Sequence, residues 1–137
     1  MSALPKILLV DDEERFRTNL QRLLAAHGFD VTGVNSGPGA LEELALSPYD
    51  VILLDMRMPG MDGLETLAAV KQAHPEAEVI MLTGHASVDV AAEIIRLGGS
   101  EYLLKPCPIE EVIAKIETTY DRKLARQEKP ATQVQPS

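Results

Sequence analysis

Short apolar runs recur along the chain at Ile7–Val10, Val31–Val34, Val51–Leu54, Val79–Leu82 and Tyr102–Leu104. Each has the length and aliphatic content of a buried strand. Between the runs, apolar residues return at helical spacing: Phe16, Leu20, Leu23 and Leu24, then Leu41, Leu44 and Ala45, then Leu64, Leu67 and Val70. These segments are predicted to be amphipathic helices. The punctuation agrees. His27-Gly28 places a cation and a left-handed cap at the end of the first helix, and Pro38 and Pro108 sit near the starts of the second and fifth. His74-Pro75 and Gly98-Gly99 close the third and fourth. Strict alternation of strand and helix, with nearly continuous apolar strands, predicts a parallel α/β sheet covered on both faces and joined by right-handed crossovers.

The pattern lapses after about Tyr120. Residues 121–137 hold four Lys/Arg, two Asp/Glu, two prolines and three glutamines, with few large apolar side chains. The expected organisation is therefore one domain over residues 1–120, followed over 121–137 by a frayed helix end and a disordered tail or linker.

Composition narrows the function. Hydrophobic residues make up 45% of the 137 and charged residues 25%, as in one soluble globular domain. Thirteen Lys/Arg against 21 Asp/Glu give a net charge of -8, and no basic run is present that could neutralise a phosphate backbone. Direct nucleic-acid binding by this domain is not expected. The single cysteine, Cys107, has neither a disulfide partner nor zinc-ligand spacing around it, which fits a reducing cytoplasm. The apolar runs are too short for a membrane span, so a soluble cytoplasmic protein without membrane association is expected.

Acidic residues fall where strands end. Asp11 and Asp12 follow the first run and Asp55 follows the third. In an open parallel sheet, ligands bind outside the carboxyl ends of strands where the strand order reverses. If the first strand is central, with the second and third on either side, all three carboxylates surround one crevice. Crowded carboxylates require raised pKa values or a bound cation, and Mg²⁺ suits a hard oxygen donor set. Each acid alone has an ordinary alternative as a turn former or helix cap, and Asp12 in particular could cap the first helix. Thr83 follows the fourth run and Lys105 the fifth, where Pro106 can fix the chain direction. A cation there would balance the carboxylates and hold an arriving anion.

The ordered set Ile7-Leu8-Leu9-Val10-Asp11-Asp12, Asp55-Met56-Arg57-Met58-Pro59-Gly60-Met61-Asp62-Gly63, Thr83 and Tyr102-Leu103-Leu104-Lys105-Pro106 resembles the receiver domain of bacterial two-component response regulators over roughly residues 5–120. The resemblance implies a flavodoxin-like (βα)5 fold of strand order 2-1-3-4-5. It implies that Asp55 takes a phosphoryl group from a phosphohistidine on a sensor histidine kinase or histidine phosphotransfer protein. Asp11, Asp12, Asp55 and the backbone carbonyl of Arg57 would bind Mg²⁺, Asp11 largely through water. Thr83 and Lys105 would contact the phosphoryl oxygens, and Thr83 and Tyr102 would form the switch. Met56, His85 and Pro106 would line the rim.

Partner binding would change through the surface of the fourth helix, fifth strand and fifth helix, reaching a downstream output protein or domain and leaving room for a phosphorylation-dependent homodimer. Such a chain is a regulatory switch that catalyses only its own phosphorylation and dephosphorylation. Met56, Met58 and Met61 are read as packing and loop-filling residues, since thioethers do not suit Mg²⁺. An alternative is a Mg²⁺-dependent phosphatase of haloacid dehalogenase type, although that family places an Asp-x-Asp pair after its first strand. A nucleotide-binding module would present glycines where acids stand here. A phosphorylation-independent interaction module is the third alternative.

Overall fold

Alternate residues of a strand point to opposite sides of its sheet, and in this protein that division organises the interior. A computed structural model describes residues 4–85 and 87–133, with side chains through 127. The elements run β1 (Lys6–Val10), α1 (Glu14–Ala26), β2 (Asp30–Val34), α2 (Gly37–Leu46), β3 (Val51–Asp55), α3 (Gly63–Ala73), β4 (Glu78–Thr83), α4 (Val88–Arg96), β5 (Glu101–Leu104) and α5 (Ile109–Gln133). All strand pairs are parallel and the order is β2-β1-β3-β4-β5. The doubly wound fold implied by the sequence is the one formed.

Leu8, Val10, Ile52, Leu54, Val79 and Met81 project to one face, where Ala40, Leu44, Leu67, Val70 and Ile94 of α2, α3 and α4 meet them. Ile7, Leu9, Val51, Leu53, Ile80 and Leu82 project to the other, against Leu20 and Leu24 of α1 and Val112 and Ile116 of α5. The two central strands β3 and β4 are buried along their whole length. The edge strands are not: β2 is half-buried and β5 alternates, because each lies at the margin of the helical layers. The expectation of nearly continuous burial holds at the centre of the sheet only.

Local chemistry sets the helix ends. The Ser36 hydroxyl accepts from the Gly39 N–H at 3.0 Å, with Pro38 in the first turn of α2. Asp62 and Glu65 form a reciprocal capping box at α3, both contacts at 2.9 Å, and Ser87 caps α4 by accepting from the Val90 N–H at 3.1 Å. Gly28 ends α1 with φ of +107°, a conformation that a side chain would strain.

The end of α5 departs from the sequence expectation. Instead of fraying near Tyr120, the helix continues to Gln133. Three charged residues beyond Tyr120, Arg122, Lys123 and Arg126, face partners at the sheet. Lys123 is buried with its Nζ 3.7 Å from Asp50 Oδ1, and Arg122 donates to Glu101 at 3.1 Å. Arg126 pairs with Glu78, a buried carboxylate that also accepts from the Ser100 hydroxyl at 2.5 Å. A segment that is polar by composition is thus a helix with an ionic inner face. Residues 134–137, the rest of the expected tail, lie outside the described residues.

Glu78→Ala is expected to cost about 1–2 kcal/mol, because it strips a buried acceptor from Arg126 and Ser100 while Arg126 can still reach water. Amide exchange over residues 121–127 should accelerate, and the Glu78→Ala/Arg126→Ala double variant should lose less than the sum of the single variants.

Candidate functional site

The strand order reverses between β1 and β3, and the carboxylates expected there converge. Asp11 continues β1, its N–H donating to the Val34 carbonyl at 3.1 Å, and it is fully buried. Asp55 ends β3 at 6% exposure, while Asp12 is open to solvent. Carboxylate oxygens of the three residues lie within 4.8 Å of one another. Lys105 arrives from the end of β5, where its N–H donates to the Thr83 carbonyl at 2.7 Å. Its ammonium bridges Asp11 Oδ2 at 3.1 Å and Asp55 Oδ1 at 3.0 Å, across 94 residues of sequence in the first case. Asp11, Asp12, Glu13, Asp55, Met56, Arg57, Gly84, His85 and Lys105 line the resulting cleft.

Burial raises the Asp55 pKa, and the Asp11 and Asp12 charges add to the rise, opposed by the hydrogen bond from Lys105. Burial acts to lower the Lys105 pKa, but its hydrogen bonds to Asp55 and Asp11 outweigh this and the net shift is upward. Lys105 is therefore a fixed cation. One ammonium against three carboxylates leaves the cleft with excess negative charge and unshared oxygen lone pairs. Such a hard donor set fits Mg²⁺, with Asp11, Asp12 and Asp55 available to hold it and the Arg57 backbone on the cleft wall.

Several positions refine the sequence reading. Asp12 does not cap α1. Glu13 occupies the cap position without a side-chain hydrogen bond, and its N–H donates instead to Asp11 Oδ1 at 2.9 Å, since Asp11 is the acid turned inward. The Thr83 hydroxyl is buried, donating to the His85 carbonyl at 3.0 Å and accepting from the His85 N–H at 3.1 Å. Tyr102 does not enter this cleft. It sits on the α4 side of β5, at 36% exposure, in a shallow recess with Val88, Ala91 and Ile95. The Lys105-Pro106 peptide bond is cis.

Met58 is buried in the core beside α3, and Met56 packs against the same cluster, as the packing assignment requires. Gly63 is dictated by space: a Cβ there would collide with the Asp55 carbonyl and the Met56 backbone, so only glycine lets α3 start this close to the end of β3. Two residues escaped the sequence reading. Phe16 places its ring 4.1 Å from Lys105 Nζ, and the Arg17 guanidinium donates to the Asp11 carbonyl at 2.8 Å. Phe16 shares helical phase with Leu20, so its pattern signals core and nothing else.

A doubly wound sheet with three carboxylates and a lysine at its switch point defines a class of α/β domain built to manage an anionic group. The family follows from comparison with known proteins. The profile of the response regulator receiver domain matches residues 7–117, and the chain belongs to that family, the regulatory receivers of two-component systems. It is 42% identical over 111 residues to the DNA-binding transcriptional regulator NtrC of Escherichia coli and 39% identical over 111 residues to the transcriptional regulatory protein ZraR of the same species. Both alignments cover 81% of this chain but 24% and 25% of the relatives, so the chain spans about a quarter of the length of the curated relatives it matches.

A CheY-like response regulator receiver domain protein from Methanospirillum hungatei superposes with a TM-score of 0.85 at 25% identity, covering 90% of this chain and 99% of the other. NtrX from Brucella abortus gives 0.89 at 26% identity, over 96% of this chain and 30% of the other. Among the described residues, no helix is long and apolar enough to cross a membrane.

The Asp55 environment carries a linkage consequence. A carboxyl whose folded pKa lies above its unfolded value favours folding most below the unfolded value and loses that advantage as pH rises through the folded one. At neutral pH the crowding penalty is fully present. Asp55→Asn is therefore expected to raise the melting temperature in chelator at pH 7, with the gain shrinking as the pH falls through the raised folded pKa and gone below the unfolded value of about 4. Thermal scans across that range check it.

Proposed function

We propose that the chain is the phosphoacceptor switch of a two-component pathway and that Asp55 is the acceptor. The observation that supports this most directly is the Asp55 carboxylate itself, buried at the cleft floor, held by Lys105 at 3.0 Å and crowded by two further acids. A carboxylate oxygen of Asp55 attacks the phosphorus of a phosphohistidine on a sensor histidine kinase or phosphotransfer protein. The P–N bond breaks and the imidazole leaves. Negative charge spreads over the equatorial oxygens, and in this reading the Lys105 ammonium and, once it leaves the His85 backbone, the Thr83 hydroxyl stabilise it. Asp11, Asp12, Asp55 and the Arg57 carbonyl would hold Mg²⁺, which when bound offsets charge on the phosphoryl oxygens. The product is an acyl phosphate, and attack of water on its phosphorus returns free Asp55 and inorganic phosphate. The only reactions in this reading are the domain's own phosphorylation and dephosphorylation.

Output requires the phosphoryl group to interact differently with two arrangements of the domain. The Thr83 hydroxyl is now satisfied by the backbone of His85, at the start of the segment leading to α4. Exchanging that contact for a phosphoryl oxygen releases the His85 backbone, and Tyr102 on the neighbouring strand moves with it. The surface of α4, β5 and α5 then binds a downstream protein or domain, or a second copy of the chain. With a net charge of -8, the domain leaves nucleic acid to another part of the pathway, and DNA-binding transcriptional regulation of the kind named for NtrC would act through that output. A reducing cytoplasm suits the single free Cys107.

Intact mass after incubation with acetyl phosphate decides the acceptor. Wild type should gain one phosphoryl group only with Mg²⁺ present, and Asp55→Asn should gain none. Equal modification of that variant would remove Asp55 from the role.

The switch is read separately. Thr83→Ala should still accept phosphate on Asp55 but lose most of the amide NMR shifts that beryllofluoride, a phosphoryl mimic, produces over residues 87–112 in wild type. Identical large shifts in both proteins would refute the coupling through Thr83.

A further inference from the structure

We propose that Phe16 is a positioning residue for Lys105: the face of its ring holds the ammonium over the cleft while the carboxylate partners of that ammonium change. The inference rests on the reading of Asp55 as phosphoacceptor. Lys105 Nζ has three neighbours of note, Asp11 Oδ2 at 3.1 Å, Asp55 Oδ1 at 3.0 Å and the Phe16 ring centroid at 4.1 Å. The last distance is well inside the range of a cation–π contact, and the lysine side chain is only 19% exposed, so water screens the contact weakly.

The carboxylate contacts cannot by themselves keep the ammonium in place through the reaction. Once Asp55 carries a phosphoryl group its oxygen is no longer a full anion, and the ammonium must turn toward the phosphoryl oxygens. A lysine has a flexible four-carbon stem and freely rotating donors, so it has many ways to leave the productive position. The ring offers an attraction that the reaction does not consume and that lacks a directional hydrogen bond to exchange. It also occupies a side of the ammonium that water would otherwise solvate.

The ring is held on a defined frame. Asp11 Oδ1 accepts from the Glu13 N–H at 2.9 Å, and the Arg17 guanidinium reaches back to the Asp11 carbonyl at 2.8 Å. These contacts pin the first turn of α1, where Phe16 sits, to the end of β1. Asp11 therefore fixes both the ammonium, through Oδ2, and the helix turn that carries the ring, through Oδ1 and its carbonyl. Phe16 also packs against the core shared by α1 and α5. Its packing and its electrostatic role must be separated experimentally. Leucine keeps apolar bulk without an aromatic quadrupole, whereas tyrosine keeps the ring.

The test compares wild type, Phe16→Leu and Phe16→Tyr in two measurements. In the first, the rate of phosphorylation by acetyl phosphate is followed at saturating donor across a Mg²⁺ titration. Phe16→Leu should be slower by about 3- to 30-fold, with the half-saturating Mg²⁺ concentration unchanged, and Phe16→Tyr should stay within about twofold of wild type. In the second, the Lys105 ε-methylene protons are observed by NMR in unphosphorylated protein. Ring current should displace them upfield in wild type and Phe16→Tyr and leave them near the ordinary lysine position in Phe16→Leu. A Phe16→Leu protein that phosphorylates at the wild-type rate overturns the proposal, as does a wild-type Lys105 signal at the ordinary position. Slowing of both variants together with a shifted Mg²⁺ requirement assigns Phe16 a packing role and also overturns it. If wild type gains no phosphate on Asp55, the phosphoacceptor reading fails first, and the proposal built on it falls even where the NMR arm finds the contact present.

Discussion

A single ammonium shared between two buried carboxylates connects the two ends of this fold. Asp11 lies at the end of the first strand and Lys105 just past the fifth, and Asp55 stands between them on the central strand β3. Neither carboxylate would sit comfortably this far from water alone, and Lys105 is held charged by both of them. The pairing is nonetheless incomplete, because Asp12 adds a further negative charge beside it. Excess negative charge on hard oxygen donors fits a divalent cation.

Packing and hydrogen bonds around the cleft position these groups. Parallel strands bring their carboxyl ends to one edge of the sheet, and aliphatic runs, Ile7–Val10 in β1 and Val51–Leu54 in β3, lead up to Asp11 and Asp55. Gly63 removes the side chain that would keep α3 away from Asp55, and the capping box of Asp62 and Glu65 fixes the helix start that this close approach requires. The Asp11 carboxylate and carbonyl anchor the first turn of α1, placing an aromatic ring against Lys105. The contact at Thr83 is local, its hydroxyl meeting the nearby His85 backbone. A contact that is local can be exchanged without unfolding its neighbours.

The opposite edge of the sheet is tied differently. There Glu78, Asp50 and Glu101 at the beginnings of strands receive Arg126, Lys123, Arg122 and Lys115 from α5. These pairs are partly exposed and each contributes modestly, but together they give a polar stretch of helix a surface to lie on. They also explain why composition misjudged this segment. Charge counts describe a segment in water, and the partners of these residues stand in β4 and β5 and just before β3.

Much of the architecture was legible in the sequence because it depends on short-range periodicity. Apolar runs fixed the strands to within a residue or two, and Gly28 and Pro38 marked helix ends through the conformations they permit. The acids at strand ends, with Thr83 and Lys105, were legible for the same reason, since a residue that follows a buried strand must emerge at the edge of the sheet. What the one-dimensional pattern does not carry is which side chain meets which across that edge. Only the tertiary structure decided that Asp11 turns inward while adjacent Asp12 faces solvent, that Phe16 faces a lysine as well as the core, that Tyr102 lies on the α4 side of β5, and that α5 continues past Tyr120. Each of these depends on partners distant in sequence, and their energies come from burial and charge pairing that exist only once the sheet has closed its order.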